Sequence, residues 1–417
     1  MARRVPLLAL YAADAVSVTG NMLTLIAIPW FVLELTGSAA VTGVVAFFTA
    51  LAAVVASFFG GTLVDRVGFR RMSVIADIAS AAAVAAIPAV HLTIGIVPWQ
   101  LMVLVFLGAL LDAPGTAARS SMLPDLAELS GTPLERATSV SQAVRRGATL
   151  VGAPIGGALI LLIGTTNVLL LDAASFLVSA AIIALLTPAV TYSEAAVAGA
   201  STATRAWRRY LDDLLEGVRF IWRDRLARAI VLTVMITNFL DSPLVAVILP
   251  VYVHKVYGSS VELGLMLGVF GGAALVGAIL YGIVGPRLPR RLTFGAAFVI
   301  VGLPFWILVL SPPFPVALAA LAVTGLAAGP LNPIISTVMF ERVPRHMRGR
   351  VTGALTSGAY VAIPAGMLVA GFVSERFGVI TAIVLVAAAY MLVTASIFLN
   401  PAMREMDRPP AVTPQNA

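Results

Sequence analysis

Cysteine is missing from all 417 residues, so disulfides, iron–sulfur clusters and thiolate zinc sites are excluded. The three histidines, His91, His254 and His346, stand too far apart for metal-ligand spacing, and no metal site is expected. No G-x-x-x-x-G-K-[ST] segment is present, which argues against ATP as a direct energy source. H-E-x-x-H and G-x-S-x-G are also missing, and no enzyme is expected. The most informative scarcity is charge. Asp, Glu, Lys and Arg make up 11% of the chain, against roughly a quarter of a soluble domain. That is too little to cover a folded chain of this length with a solvated surface.

Apolar residues are present in their place, at 60% of the sequence with a mean hydropathy of +0.99. A spanning helix needs about 20 apolar residues. Twelve such runs occur, near 7–33, 39–62, 72–93, 97–118, 139–163, 167–188, 227–253, 261–285, 292–311, 314–338, 351–373 and 378–399. The first is too long for a signal-peptide core and lacks a small-residue cleavage site, so it counts as a span. The net charge of +7 suggests nucleic acid at first sight, but the basic residues are spread between apolar runs and form no single patch. Their spacing instead sets a topology. With the N-terminus inside, Arg3 and Arg4, Arg66 to Arg71, the group Arg119, Arg136, Arg145 and Arg146, the stretch Arg205 to Arg228, Arg287 to Arg291, Arg342 to Arg350, and Arg404 and Arg408 all fall on one side. Of 27 basic residues only Lys255 and Arg376 fall outside this pattern, which is the sidedness expected of cytoplasmic loops. Both termini are therefore expected in the cytoplasm, and the protein in a bacterial inner membrane.

The longest polar stretch, 189–226, divides the chain. Its second part, Trp207 to Arg228, mixes Arg, Asp and Glu with Leu215, Phe220 and Trp222 and reads as an amphipathic helix on the membrane surface. The expected organisation is a six-helix bundle over 1–190, a linker over 191–226, a second six-helix bundle over 227–400 and a Pro-rich disordered tail over 401–417. The two halves repeat each other. Pro29, Gly43, Gly61 and Arg66 align in order with Pro250, Gly264, Gly282 and Arg287, and Val151, Pro154 and Gly156 align with Val361, Pro364 and Gly366. Two such halves suit a mechanism in which one rocks against the other about a central site. Twelve spans, inside termini and this repeat resemble the major facilitator superfamily over about residues 5–400. The expected fold is therefore all-α, integral to the membrane, with twelve helices in two pseudo-repeats.

Two segments carry the resemblance most specifically. Gly61 to Arg71 is similar to the superfamily's signature loop between the second and third helices, with Gly61, Asp65, Arg66, Gly68, Arg70 and Arg71 in place and Phe69 departing from the usual basic residue. The family implies that Asp65 meets the start of the eleventh helix and controls a cytoplasmic gate. In the fifth span, Gly152, Pro154, Gly156 and Gly157 resemble the antiporter motif of the superfamily's exporters, with Ala153 inserted. Small residues there let helices pack closely, with the eighth span as the expected partner. Leu104 stands where drug antiporters often carry an arginine. That departure resembles instead the branch of macrolide, tetracycline and siderophore exporters.

Carboxylates inside spans are costly and usually functional. Asp14, Asp112 and Asp241 are the candidates for proton coupling; Asp77 and Asp172 are also intramembrane. Asp112 and Arg119 lie two turns apart on one face, as a gate or a static ion pair. Candidate cavity residues are Asn21, Trp30, Asn238, Tyr252, Asn332, Tyr360 and Met367. The expected function is proton-coupled export of small amphiphiles by a lipid-embedded monomer that needs no cofactor beyond the proton gradient. A lysolipid flippase of the same fold and a non-transporting sensor or scaffold are the alternatives.

Overall fold

The computed structural model of the protein describes residues 4–188 and 203–407, and the side chains at 57–63, 65, 66 and 203–211 lie outside that description. The described residues form helices α1 (Val5–Thr36), α2 (Ala39–Val67), α3 (Phe69–Thr93), α4 (Pro98–Ser130), α5 (Leu134–Ile163) and α6 (Thr165–Leu186). The connector helix α7 (Ala203–Arg223) follows, then α8 (Arg225–Pro243), a π-helical segment (Leu244–Ile248) and α9 (Leu249–Val256). The remainder is α10 (Ser260–Val284), α11 (Arg290–Val309), α12 (Phe314–Ala328), α13 (Leu331–Arg342), α14 (Arg348–Phe377) and α15 (Val379–Leu399).

Twelve segments among the described residues are long and apolar enough to cross a membrane. Their outward faces carry large apolar side chains; Leu162, Leu185 and Leu392 are 76%, 81% and 73% exposed. Lipid, where helices satisfy their own backbone groups, is the solvent for such a surface. The protein is a multi-pass membrane protein.

Helix ends differ from the apolar runs in ways that matter below. The fourth span was expected to end near residue 118, but α4 continues to Ser130 and stops only at Gly131, whose φ of 66° terminates it. Arg119, expected in a loop, is therefore inside a helix and 1% exposed. The seventh span runs on through Pro243 but changes there from α-helix to one π-helical segment before α-helix resumes at Leu249, since proline supplies no N–H to the helical ladder. The tenth is split into α12 and α13 around Gly329 and Pro330. The amphipathic connector ends at Arg223 rather than Arg228, because the Asp224 side chain accepts the Ala227 N–H at 2.7 Å and caps α8. Gly68 alone joins α2 to α3 at φ 87°, a conformation that favours glycine.

The chain forms two compact units. Among the described residues the first comprises 4–188, 245–268 and 367–376. Here helices approach to backbone contact. A Cβ on Gly43 would come within 2.7 Å of the Gly371 Cα, and one on Gly264 within 2.6 Å of the Ala153 carbonyl oxygen. The Ser260 hydroxyl donates to the Gly157 carbonyl at 2.9 Å. Glu375 accepts the Ala39 N–H at 2.7 Å and the Ser38 hydroxyl at 3.2 Å, capping α2 from α14.

Among the described residues the second unit comprises 203–244, 269–366 and 377–407. Tyr390, fully buried, packs edge-on against Phe305 with ring centroids 5.7 Å apart, joining α15 to α11. The connector α7 is tied to the start of α14, where Arg350 pairs with Asp213 at 2.7 Å and with Glu216. Arg342 bridges Asp224 at 3.2 Å and Glu405 at 2.6 Å. Gly277, Gly325 and Gly329 let α10 and α12 touch through their backbones, and a Cβ on Gly277 would overlap the Leu326 carbonyl. Gly277→Val should therefore cost roughly 1–3 kcal/mol through overpacking. It should lower the thermal midpoint of the detergent-solubilised protein, whereas Gly282→Val, with open space around it, should leave the midpoint unchanged.

Candidate functional site

On α1 the polar residues Asp14, Ser17, Asn21 and Thr24 recur at three- and four-residue intervals and so share one face. Asp112, Thr116 and Arg119 do the same on α4, and Asp172, Ser175 and Ser179 on α6. The first unit packs these faces inward against Asp77 of α3 and Arg145 of α5, giving a polar core within apolar helices.

Arg119 is its centre. Its Nε donates to Asp14 at 3.0 Å and its Nη1 to Asp77 at 2.6 Å. Its Nη2 donates to Ser17 at 3.1 Å and to Thr116 at 3.2 Å. Arg145 meets Asp14 from the other side at 2.9 Å. Both Asp14 oxygens are thus held by guanidinium groups, and the second Asp77 oxygen accepts the Ser179 hydroxyl at 2.7 Å. Three carboxylates face two guanidinium groups, and Asp112 is the one left over. One of its oxygens accepts the Asn21 amide at 3.1 Å. The other lies 4.0 Å from Arg119 Nη2 and is buried without a hydrogen bond.

Asp112 opens onto a cavity of about 390 Å³ built entirely from the first unit. Its walls are mostly apolar, with Leu25, Ile28, Val84, Ile87, Leu104 and Phe176 among them, and its polar lining includes Asn21, Thr24, Asp112 and Asp172. An apolar cavity with a few converging polar groups is the usual form of a small-molecule site. Among the described residues no group of His, Cys, Asp and Glu is arranged to hold a metal ion.

The other candidates disperse. Met367 lines the cavity with Asn21. Trp30 is buried against His254, ring centroids 5.1 Å apart, and Tyr252 is fully buried beside Tyr257. In the second unit Asn238 donates to the Ala359 carbonyl at 3.2 Å, fastening α8 to α14, while Asn332 and Tyr360 are exposed. Asp241 accepts the Tyr390 hydroxyl at 3.4 Å, just before the π-helical segment. In the signature loop the side chains at Gly61, Asp65 and Arg66 lie outside the described residues. Arg70 donates to the Ala184 carbonyl, and Arg71 is exposed. In the fifth span, Gly152 and Gly156 abut Met22 and Leu23 of α1, Gly157 abuts Gly264, and Pro154 abuts Gly268. Sequence reasoning paired Arg119 with Asp112 but missed Asp14 and Asp77 as its nearer partners, and missed Ser17, Thr24 and Ser179, although the helical spacing of polar residues within α1, α4 and α6 carried the signal.

The chain matches the Major Facilitator Superfamily in two overlapping segments, residues 10–274 and 231–416. It is 34% identical over 411 residues to the multidrug efflux pump Tap of Mycobacterium tuberculosis, covering 98% of this chain and 96% of that one. It is 23% identical over 373 residues to macrolide efflux protein A of Streptococcus pyogenes, covering 89% of each. Among solved structures, the nucleoside transporter NupG superposes with a TM-score of 0.76 at 14% identity over 94% of this chain and 99% of that one, a likeness of fold. Those relatives are transporters, and with twelve apolar helices and matches spanning nearly its whole length, this chain belongs to the major facilitator superfamily.

Proposed function

We propose that the protein exports amphiphilic small molecules in exchange for protons, by alternating access, across a bacterial plasma membrane with both termini in the cytoplasm. The observation that carries this reading is Asp112, whose free oxygen sits buried at the wall of an apolar cavity beside Arg119. A proton can join that oxygen without breaking a hydrogen bond, and gives up only the long 4.0 Å contact with Arg119. Asp14 differs in this respect, since both of its oxygens are engaged by arginines. The proposal therefore gives the proton to Asp112, and gives Asp14 and Asp77 the task of holding Arg119.

In this mechanism the proton on Asp112 and the substrate in the cavity compete. With Asp112 charged, Arg119 and a bound substrate share its field; protonation removes that field and favours release. The export direction is supported by the relatives, which are named as efflux proteins. The antiporter-like glycines are consistent with a close-packed barrier between α5 and α10.

In proteoliposomes, Asp112→Asn should lower transport driven by a pH gradient by roughly tenfold or more while leaving substrate binding measurable. Full gradient-driven transport by that variant would sink the assignment. Movement of labelled lysolipid but of no amphiphilic drug would favour a flippase instead. Arg119→Met should act differently, leaving Asp14 and Asp77 short of their shared partner at a cost of roughly 3–5 kcal/mol. Its readout is loss of the monodisperse peak in size-exclusion chromatography and a lower thermal midpoint, and Arg119→Lys should recover part of both.

A further inference from the structure

The exchange proposed above uses Asp112 and leaves a second carboxylate in the same cavity without a task. Asp172 of α6 has no exposed surface, yet it lines the cavity. The Thr24 hydroxyl donates to one of its oxygens, and the Ser175 hydroxyl donates to the other at 3.3 Å. Among the described residues no arginine or lysine forms an ion pair with it. The space for it is built into the helix contact. A Cβ on Gly20 would overlap both the Asp172 carboxylate and the Ser175 hydroxyl, so α1 approaches α6 here only through a glycine.

A buried carboxylate is costly unless a counter-charge meets it. Hydroxyl donors orient Asp172 but bring no positive charge. The open space it adjoins is the cavity. Asn21 and Thr24, one turn apart on α1, hold Asp112 and Asp172 respectively, so both carboxylates face one apolar chamber. A ligand that satisfies this chamber has an apolar body for Leu25, Ile28 and Phe176 and a positively charged nitrogen for Asp172.

Resting on the transport reading, we propose that Asp172 is the charge-selecting residue of the cavity. It receives the ammonium group of amphiphilic amines, while Asp112 handles the proton. Thr24 and Ser175 keep the carboxylate turned toward the substrate.

The test uses the full-length protein in detergent and in proteoliposomes, with two probes that share the dansyl group and the six-carbon chain: N-dansyl-1,6-diaminohexane, which carries one ammonium group, and its N-acetylated form, in which a small neutral amide replaces that charge. Dansyl fluorescence gives both dissociation constants. Wild type should bind the amine roughly tenfold or more tighter than the acetylated form. Asp172→Asn, which preserves the shape, keeps one hydroxyl contact and requires the other hydroxyl to turn and accept from the amide, should erase that preference and leave the neutral probe within about twofold. Thr24→Val, a milder change, should reduce the preference in part, and serves if Asp172→Asn does not fold. Equal wild-type affinities for the two probes, failure of wild type to bind the amine, or a preference that survives Asp172→Asn would each overturn the proposal. Failure of the transport reading shows elsewhere, as wild-type proteoliposomes that bind the amine with this preference but move neither probe down a pH gradient.

Discussion

Arg119 has almost no exposed surface, and a guanidinium group cannot shed its charge by losing a proton. Its charge must therefore be met inside the helices, by Asp14 from α1 and Asp77 from α3. Four hydrogen bonds from one rigid plane, two of them to carboxylates, fix the angles and depths from which Asp14 and Asp77 arrive. Asp14 in turn captures Arg145, which brings α5 into the same arrangement. The relative positions of α1, α3, α4 and α5 follow from that single charge. With lipid outside and apolar side chains between helices, few other directional forces are available to set them.

The cavity inherits its character from this arrangement. The stripe on α1 that reaches Arg119 at Asp14 and Ser17 continues one turn on to Asn21 and Thr24, where the partners are no longer arginines but carboxylates facing open space. One helix face thus passes from a closed ionic core to a chamber with unmet negative charge. The apolar walls impose shape without fixed hydrogen bonds, which suits ligands of varied outline that share an apolar body.

Hydropathy made the twelve spans legible, because bilayer thickness sets a minimum apolar length that no soluble helix needs. The repeat and the sidedness of arginine gave the family for the same reason. Helix ends were less legible. The apolar run of the fourth span ends beside Ala118, while α4 itself ends where Gly131 stops it, so a membrane-embedded arginine looked like a loop charge. Sidedness counting treats every arginine near a span end alike and is blind to one that turns inward. The residues around Arg119 were recoverable from their spacing, since Asp14, Ser17 and Asn21 repeat as a helix face does. What spacing could not supply was pairing between helices. Whether Asp14 met Arg119, and whether Trp30 or Met367 faced the chamber, depends on rotations that many sequences of this composition would tolerate. The π-helical segment after Pro243 was hidden because prolines are common in membrane helices and others here, such as Pro29 and Pro154, leave the α-helix running.

The glycine seams of the first unit have a mechanical consequence. Where Gly157 meets Gly264 and Gly43 meets Gly371, backbone lies on backbone with no side chains to interlock. Parting such surfaces breaks weak, short-range contacts rather than withdrawing knobs from holes. It needs no rotamer to change and strands no large apolar group. Glu375 over the start of α2 and the Ser260 hydroxyl on the Gly157 carbonyl are the exceptions, polar clasps on otherwise smooth joints. In the exchange cycle proposed above, such surfaces would separate and reseat in register with little to realign, because so few side chains cross them.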